Sequence, residues 1–480
     1  MAETVRDHVY SGVKWNAIGK FGHYGTQFIV SIILARLLLP EEFGLIGMLA
    51  IFTAIAQVFI VSGMTAALIQ KKDATSVDYS TVFFYNIVVA LIFYLLLFFS
   101  ADYIANFYNQ PELSRLTKYI SIVFLINSFG SVQATLLSKN LQFKKANIIS
   151  IIGVVVAGVV AVFMAYSGYG VYSIVAQSIV FALVTNVIYW LTADWKPVFV
   201  FSIASFKTLF GFGSRLLASS ILDQVYTNLS TLIIGKAFSA STLGYFSRAK
   251  ATRDIPIESS IGVLNSIILP IFSKSKSEEE LIRHHFKFIG LISFLVFPLM
   301  MGMAILAKPI TVLLFSEKWL PSVPILQLLC IISFSYPISV VLVGAILAKG
   351  KSGLFLKLDI YKKFFGLISM FVGLYFGFYA FIIGMIVGTL ISVFINIKFV
   401  SKEFGFRLSR YFVIMYPSVL LSLIMGVFLF LIQMMLPDEN ILQVLVLSMT
   451  GLVIYFGIAS IFKINDFVFL RQMLIEKITK

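Results

Sequence analysis

The feature that most constrains this chain is a series of long hydrophobic runs separated by short polar links. Most runs reach the length of about 20 apolar residues that an α-helix needs to cross a bilayer. They are continuous in polarity, whereas the strands of a transmembrane β-barrel alternate. The chain is 59% hydrophobic and 12% charged, against about 45–50% and about 25% for soluble domains. The sequence therefore predicts an all-α integral membrane protein.

Hydropathy divides the chain into about 14 transmembrane helices. The first run is too long for the hydrophobic region of a cleaved signal peptide, so we expect it to be the first permanent span. The predicted runs are Gly12–Leu39, Gly44–Leu68, Thr81–Phe99, Leu116–Leu137, Ile148–Tyr166, Val171–Leu191, Leu209–Ile234, Leu243–Phe272, Phe286–Leu306, Ile325–Leu347, Phe355–Tyr375, Gly377–Val400, Tyr411–Met435 and Ile441–Phe462.

The net charge of +15 is carried largely by lysines and arginines in alternate links between the runs. Examples are Lys71-Lys72 and Lys144-Lys145, whereas the opposite links carry residues such as Glu41-Glu42 and Asp438-Glu439. This alternation is an orientation signal, and it places both termini in the cytoplasm. It does not resemble a basic groove, so we expect no nucleic acid partner.

A short pattern in the first half of the chain recurs in the second half. Ile32–Arg36 matches Leu232–Lys236, and Phe43–Leu45 matches Leu243–Tyr245. Each half then contains six spans, an even number, so both halves enter the membrane from the same side. Parallel repeats of this kind are related by an axis along the membrane normal. The prediction is two pseudo-symmetric six-helix bundles around a central cavity, followed by two further helices.

The links between these blocks define the expected domain boundaries. Trp195 and Pro197 suggest a stretch that lies along the membrane surface, and the last residues have the apolar face of an amphipathic helix. The expected blocks are an N-terminal six-helix bundle at 1–192, a cytoplasmic interfacial linker at 193–206, a C-terminal six-helix bundle at 207–400, two additional transmembrane helices at 401–463 and an amphipathic cytoplasmic tail at 464–480.

Charged residues inside the runs are candidates for function. A charge at the centre of a membrane helix costs about 2.5–3.5 kcal/mol and usually faces a polar cavity. The candidate substrate-binding cations are Arg248, Arg215, Lys20 and Arg253. Together they would repel a cationic drug and hold an anionic group, and arginine binds phosphate oxygens with two hydrogen bonds. For Arg253, an ion pair with a neighbouring carboxylate is an alternative.

Three other residues are candidates for coupling transport to an ion. Asp223 and Glu258 are acidic groups within predicted spans, and His23 titrates near neutral pH. Each has a simpler interpretation as well. Asp223 can pair with Arg215, Glu258 can pair with Arg253, and His23 can be a helix-packing residue.

Enzyme signatures are absent from the sequence. It contains no HExxH, no Walker lysine loop and no GxSxG. His284-His285 has no acidic or cysteine neighbours at metal-binding spacing, and Cys330 is the only cysteine. We therefore expect no cofactor, no bound metal, no catalytic residues and no direct use of ATP.

Several short motifs, individually weak, agree in order and spacing with one family. Together they resemble the Wzx-type polysaccharide flippases of the multidrug/oligosaccharidyl-lipid/polysaccharide exporter superfamily, nearest to the colanic acid exporter type. The motifs are Ser11–Trp15, Ile33–Leu45, Asn228–Thr231, Gly244–Ala249, Phe315–Trp319 and Pro324–Leu329.

The resemblance implies a V-shaped cavity between two six-helix bundles in a bacterial cytoplasmic membrane. It implies a lipid-linked oligosaccharide substrate, a sugar repeat unit on undecaprenyl pyrophosphate, which is moved from the cytoplasmic to the outer leaflet. Membrane lipids, a polysaccharide polymerase and a chain-length protein are the partners it suggests. Carried to this chain, the role of pyrophosphate-binding cation falls on Arg248 of the Gly-Tyr-Phe-Ser-Arg-Ala motif.

Two alternatives belong to other functional classes. An ion-coupled exporter of small molecules, of the multidrug type, would share the fold but favour an acidic cavity. A membrane-embedded polysaccharide-processing enzyme would need a catalytic outer loop or an embedded histidine site, and the outer links of this chain are short.

Overall fold

The computed structural model describes residues 19, 22–61, 63–275, 277–436 and 441–478. Within these ranges it leaves out the side chains of residues 61, 258–267, 269, 270, 352 and 473–478. The described chain consists of helices joined by short turns and contains no β-strand. Contacts between residues divide it into two compact units, Met1–Gly244 and Tyr245–Lys480.

The helices follow the predicted runs closely. In the first part of the chain they are α1 (22–37), α2 (Pro40–Val61), α3 (Met64–Gln70), α4 (Ser76–Tyr108), α5 (Glu112–Lys139), α6 (Phe143–Tyr166), α7 (Tyr172–Thr192) and α8 (Ile203–Ala237). They continue with α9 (Ala240–Ser273), α10 (Glu278–Ile305), α11 (Ala307–Phe315), a single 3-10 turn (Glu317–Trp319), α12 (Ser322–Ser333), α13 (Tyr336–Ala348), α14 (Ser352–Tyr375), α15 (Phe378–Phe404), α16 (Ser409–Met435), α17 (Ile441–Ile461) and α18 (Asn465–Ile478).

Ten helical segments within the described residues are long and apolar enough to cross a membrane. A helix suits this environment because it satisfies its own backbone hydrogen bonds where no water is available. The long helices α8, α9 and α14 are not among the ten. All three carry several charged residues within otherwise apolar sequence.

The first unit is built on α4 and α5, which pack against each other, with α7 beside α5 and α8 against α2, α3 and α4. Its core includes Leu68, Val82, Phe83 and Val132, all of which are buried. Polar side chains inside the unit bond to one another, as in the 2.9 Å hydrogen bond from the Asn86 amide to the Ser131 hydroxyl. Such bonds are needed because buried polar groups without partners are costly.

The segment between α7 and α8 runs along the start of α4. The backbone amide of Val198 donates to the Ser80 hydroxyl at 2.9 Å, and the Trp195 indole donates to the Ser76 hydroxyl at 3.2 Å. A link that bonds to side chains of a neighbouring helix has its backbone groups partly satisfied without secondary structure.

The second unit is built on two helix pairs, α14 with α15 and α10 with α16. Its main apolar cluster includes Phe294, Met425 and Tyr455, and the Tyr455 hydroxyl donates to the Phe294 carbonyl at 2.9 Å. Outside the apolar spans, burial at the first turn of α18 raises the pKa of Asp466 to about 6, and Lys287 partly opposes that rise. The junction of α18 with α10 therefore carries a carboxyl group whose charge changes near neutral pH.

Two glycines bring the start of α2 into backbone contact with the start of α9. Gly44 lies against the carbonyl group of Ala240, and Gly244 lies against the carbonyl group of Pro40. An added Cβ atom would overlap the backbone oxygen in both places, so glycine is required for this approach. Pro40 and Ala240 occupy equivalent positions of the sequence repeat, as do Gly44 and Gly244. The repeated motif thus packs against its own copy, within the first unit.

Replacing Gly244 by alanine is expected to destabilise the protein, because forcing extra atoms into a packed contact costs about 1–3 kcal/mol. Thermal unfolding in detergent measures the effect. Gly211→Ala in α8 is the matched control, since nothing lies within 4 Å of its Cβ position. A Gly244→Ala protein that unfolds at the wild-type temperature would contradict the close backbone contact.

Candidate functional site

The most continuous polar surface of the first unit follows one side of α8. Arg215, Ser219, Asp223 and Thr227 succeed one another at four-residue spacing, and all four are exposed. Residues four apart lie on the same side of a helix. A polar stripe on a helix of otherwise apolar composition indicates a surface that meets water rather than lipid.

The opposite side of α8 holds the stripe in place. Leu209 and Leu217 are buried, and Gly213 between them lies against the backbone of Gly63. Further along, the Asn228 amide donates to the Gln224 carbonyl at 2.9 Å and approaches the Gln224 amide oxygen at 3.2 Å. The helix therefore presents one packed face and one polar stripe, and Arg215 and Asp223 on that stripe lie far from either end of α8.

Arg215 and Asp223 lie on this stripe eight residues apart, a rise of about 12 Å along the helix. The structure brings both onto one exposed surface, as their spacing suggests. Substrate binding by Arg215 and ion coupling by Asp223 stay predictions. Lys20 lies outside the described residues, and the side chain of Glu258 is not among the described ones.

Arg248 has a different environment. Its guanidinium group lies over the ring of Phe315, 4.9 Å from the ring centroid, and over Trp319 at 5.2 Å. Trp319 also meets the Tyr245 ring edge to face. Arg248 is only 6% exposed, and both rings are fully buried. Aromatic side chains therefore enclose this cation, and its contacts join α9 to the segment around the 3-10 turn.

This cluster joins two of the sequence motifs noted above, Gly244–Ala249 and Phe315–Trp319. Cations over aromatic faces are attracted by the ring quadrupole, the more so when water is excluded. The observed contacts give Arg248 a part in packing the second unit. Its predicted role as a substrate-binding cation remains untested.

Arg253 and His23 make the contacts of their simpler interpretations, an ion pair for Arg253 and helix packing for His23. Arg253 forms an ion pair with Asp254, in which the Nε–Oδ1 distance is 2.8 Å and a second hydrogen bond comes from Nη2. His23 shares a 2.8 Å hydrogen bond between its Nδ1 atom and the Ser150 hydroxyl, and its ring meets Phe181. Both side chains are partly buried, so the helix contacts restrain them.

The sequence reasoning missed a group of charges on α14. Lys357 and Lys362 are exposed, while Lys363 pairs with Asp359 one turn earlier at 2.7 Å. The signal was present, because four charged residues stand within the predicted run Phe355–Tyr375. Its hydropathy predicts an ordinary span, although charged residues are at least as frequent here as in α8 and α9.

The arrangement of helices has close likenesses among solved membrane transporters. The lipid II flippase MurJ in an inward closed conformation superposes with a TM-score of 0.75 over 93% of this chain and 98% of that one, at 17% identity. An inward-facing multidrug resistance MATE family transporter of the MOP superfamily gives a TM-score of 0.61 over 79% and 94%, at 15% identity. The chain therefore has the helical fold that these solved structures share.

Sequence comparison then gives the family. A family model described as "Polysaccharide biosynthesis protein" matches residues 33–324. The teichuronic acid biosynthesis protein TuaB of Bacillus subtilis is 30% identical over 362 residues, 73% of each chain. The lipopolysaccharide biosynthesis protein WzxC of Escherichia coli is 26% identical over 380 residues, 77% of this chain and 76% of that one. The chain belongs to this polysaccharide biosynthesis protein family, which confirms the resemblance to Wzx-type exporters.

The contact of Arg248 with Trp319 can be tested by a double-mutant cycle. Arg248→Met and Trp319→Leu are expected to be non-additive by about 0.5–2 kcal/mol, the range for a cation over an aromatic ring. Unfolding in mixed detergent micelles measures the free energies.

Arg410→Met combined with Trp319→Leu is the control, because Arg410 lies over a different ring, that of Phe286. This pair should be additive. Additivity of the Arg248 and Trp319 substitutions as well would contradict the aromatic enclosure of Arg248.

Proposed function

We propose that this protein is a flippase for lipid-linked oligosaccharides. It moves a sugar repeat unit, carried on undecaprenyl pyrophosphate, from the cytoplasmic to the outer leaflet for surface polysaccharide synthesis. The observation that carries the proposal is the match with relatives named for polysaccharide biosynthesis, at 30% identity over 73% of the chain in one case. The likeness to the lipid II flippase fold supports the same class of transporter.

The polar surfaces support a mechanism for the headgroup. Moving a pyrophosphate group and its sugars into hydrocarbon costs a large free energy of desolvation, whereas the apolar polyprenyl chain dissolves readily in lipid. Exposed cations on membrane helices offer the headgroup a counter-charge, and in this proposal Arg215 on α8 supplies it. Arg248 and Arg253 then act mainly by holding α9 in place. Lys20 remains a further candidate cation.

Alternating access completes the proposal. The ten apolar helices together with α1, α8, α9 and α14 make fourteen spans, arranged as two pseudo-symmetric six-helix bundles and two trailing helices. Six spans in each bundle put both termini in the cytoplasm, in agreement with the positive-inside pattern. The proposed blocks are 1–192, 207–400 and 401–463, with the linker at 193–206 and the surface tail at 464–480. A polymerase and a chain-length protein are the proposed partners downstream.

Asp223 is the group best placed to couple the transport cycle to an ion. It lies on the same exposed stripe as Arg215, whereas His23 is bonded to Ser150. The side chain of Glu258 stays a second candidate. We propose that protonation or cation binding at Asp223 changes the charge of the stripe between the inward and outward states.

The MATE likeness keeps an ion-coupled exporter of small molecules as the second candidate function. Such a protein would need an acidic site for cationic substrates. The chain instead carries +15 net charge, and its family relatives are named for polysaccharide synthesis. Transport, rather than catalysis on the sugar, is the activity that we propose.

Translocation in vesicles tests the proposal. Purified protein in liposomes should move a fluorescent lipid-linked oligosaccharide between leaflets faster than protein-free liposomes do. Arg215→Gln should slow this transport about tenfold or more, the effect of losing one hydrogen bond to a charged group.

Lys207→Gln is the matched control, an exposed lysine in the first turn of the same helix. Wild-type vesicles that are no faster than empty ones would overturn the function. If the Arg215→Gln variant transports at the wild-type rate, Arg215 does not have the proposed role, but the proposed function is not contradicted.

A further inference from the structure

A polar pocket of about 90 Å³ lies in the first unit where α5, α6 and α7 end or begin together. Gln133 lines it from α5, Asn140 from the residue that follows α5, Lys145 from α6, and Asp194 and Trp195 from the segment that follows α7. The Lys145 ammonium donates to the Thr192 carbonyl at 2.5 Å, which ties the end of α7 to α6. The pocket thus presents one fixed cation and one carboxylate, together with amide groups.

The side chain of Gln133 indicates that the pocket binds a molecule. This side chain is 1% exposed, it lines the pocket, and neither its amide nitrogen nor its amide oxygen has a hydrogen-bond partner. Buried amides nearly always have hydrogen-bond partners, because an amide with both atoms unsatisfied incurs the full free-energy cost of desolvation. An amide held this way offers a donor and an acceptor to a molecule that enters the pocket.

An apolar groove lies between α5 and α7. It is open to the surroundings, has a volume of about 410 Å³ and is lined by apolar side chains such as Leu125, Phe129, Leu183 and Val187. Asn186 is its one polar lining residue, and the amide nitrogen of Asn186 donates to the Ala182 carbonyl at 2.7 Å.

The groove and the polar pocket adjoin along α5. Phe129 of the groove and Gln133 of the pocket are four residues apart, about 6 Å along the helix and on the same side. On α7, the indole of Trp190 in the groove donates to the Phe129 carbonyl at 3.0 Å. α5 and α7 run in parallel here, since Tyr172 at the start of α7 bonds to Glu112 at the start of α5. One seam therefore offers an apolar groove followed by a polar pocket.

We propose that this seam binds a zwitterionic phospholipid of the surrounding bilayer, one whose headgroup carries a phosphate and a primary amine. The phosphate accepts hydrogen bonds from Lys145 and from the Gln133 amide, and the ammonium group faces Asp194. One acyl chain lies in the apolar groove between α5 and α7.

Charge decides between this occupant and other lipids. The pocket contributes one positive and one negative side chain, which match the two charges of such a headgroup. An anionic phospholipid would leave Asp194 facing a negative group. A polyprenyl pyrophosphate would bring several negative charges to a single lysine. The site is thus separate from the substrate surface on α8, and it does not rest on the proposed transport activity.

Native mass spectrometry of the purified full-length protein can test the inference. The protein is exposed to an equimolar mixture of phosphatidylethanolamine and phosphatidylglycerol, and the retained adducts are counted. Wild-type protein should retain more phosphatidylethanolamine, and Asp194→Asn should reduce that preference by about two- to fivefold, the effect of one exposed charge pair. Gln133→Leu and Val187→Trp should reduce retention of both lipids.

Lys144→Gln is the matched control for Lys145→Gln, because Lys144 is the adjacent exposed lysine and does not line the pocket. Thermal unfolding of each variant shows whether it is folded. Loss of retention in Lys145→Gln but not in Lys144→Gln supports the site. Equal retention of the two lipids by wild-type protein overturns the inference. Displacement of phosphatidylethanolamine by undecaprenyl pyrophosphate also overturns it, since the seam would then belong to the substrate.

Discussion

The cost of placing charge in hydrocarbon is the constraint on which this structure depends. Ten helices meet it by being apolar, and they are recognisable from their sequence alone. α8, α9 and α14 carry charges instead, and they accommodate these charges by exposure, by enclosure or by pairing. On α9 the charges are enclosed or paired, as in Arg248 and the pair Arg253–Asp254. On α8, Arg215 and Asp223 stay exposed, which is tolerated only beside water, whereas α14 combines the exposed Lys357 and Lys362 with the pair Lys363–Asp359.

The contacts of the family motifs show that their residues pack helices against each other. Gly44 and Gly244 permit two helix starts to meet backbone to backbone, and Arg248 with Trp319 joins two distant motifs through aromatic contacts. These residues stabilise the scaffold. Arg215, the residue proposed to meet a substrate, falls outside the motifs.

Much of the fold could be predicted because hydrophobic length is a local property. The predicted run Leu116–Leu137 became α5, Glu112–Lys139, but Ile325–Leu347 became two helices, α12 and α13, which break before Pro337. Long-range contacts could not be predicted in the same way. Nothing near Arg248 in the sequence identifies Phe315 and Trp319 as its neighbours. The charges of α14 were readable and were missed, because the run around them satisfied the hydropathy criterion.

Water access to the α8 stripe is the most direct test of the central claim. Cys330, the only cysteine, is buried and can be replaced by alanine. A cysteine introduced by Ser219→Cys is then exposed to a membrane-impermeant maleimide in liposomes, with Val159→Cys on the apolar surface of α6 as the control. The account predicts rapid labelling at position 219, slowed by lipid-linked oligosaccharide, and almost none at position 159. Equally slow labelling at both positions would contradict a water-filled surface along α8.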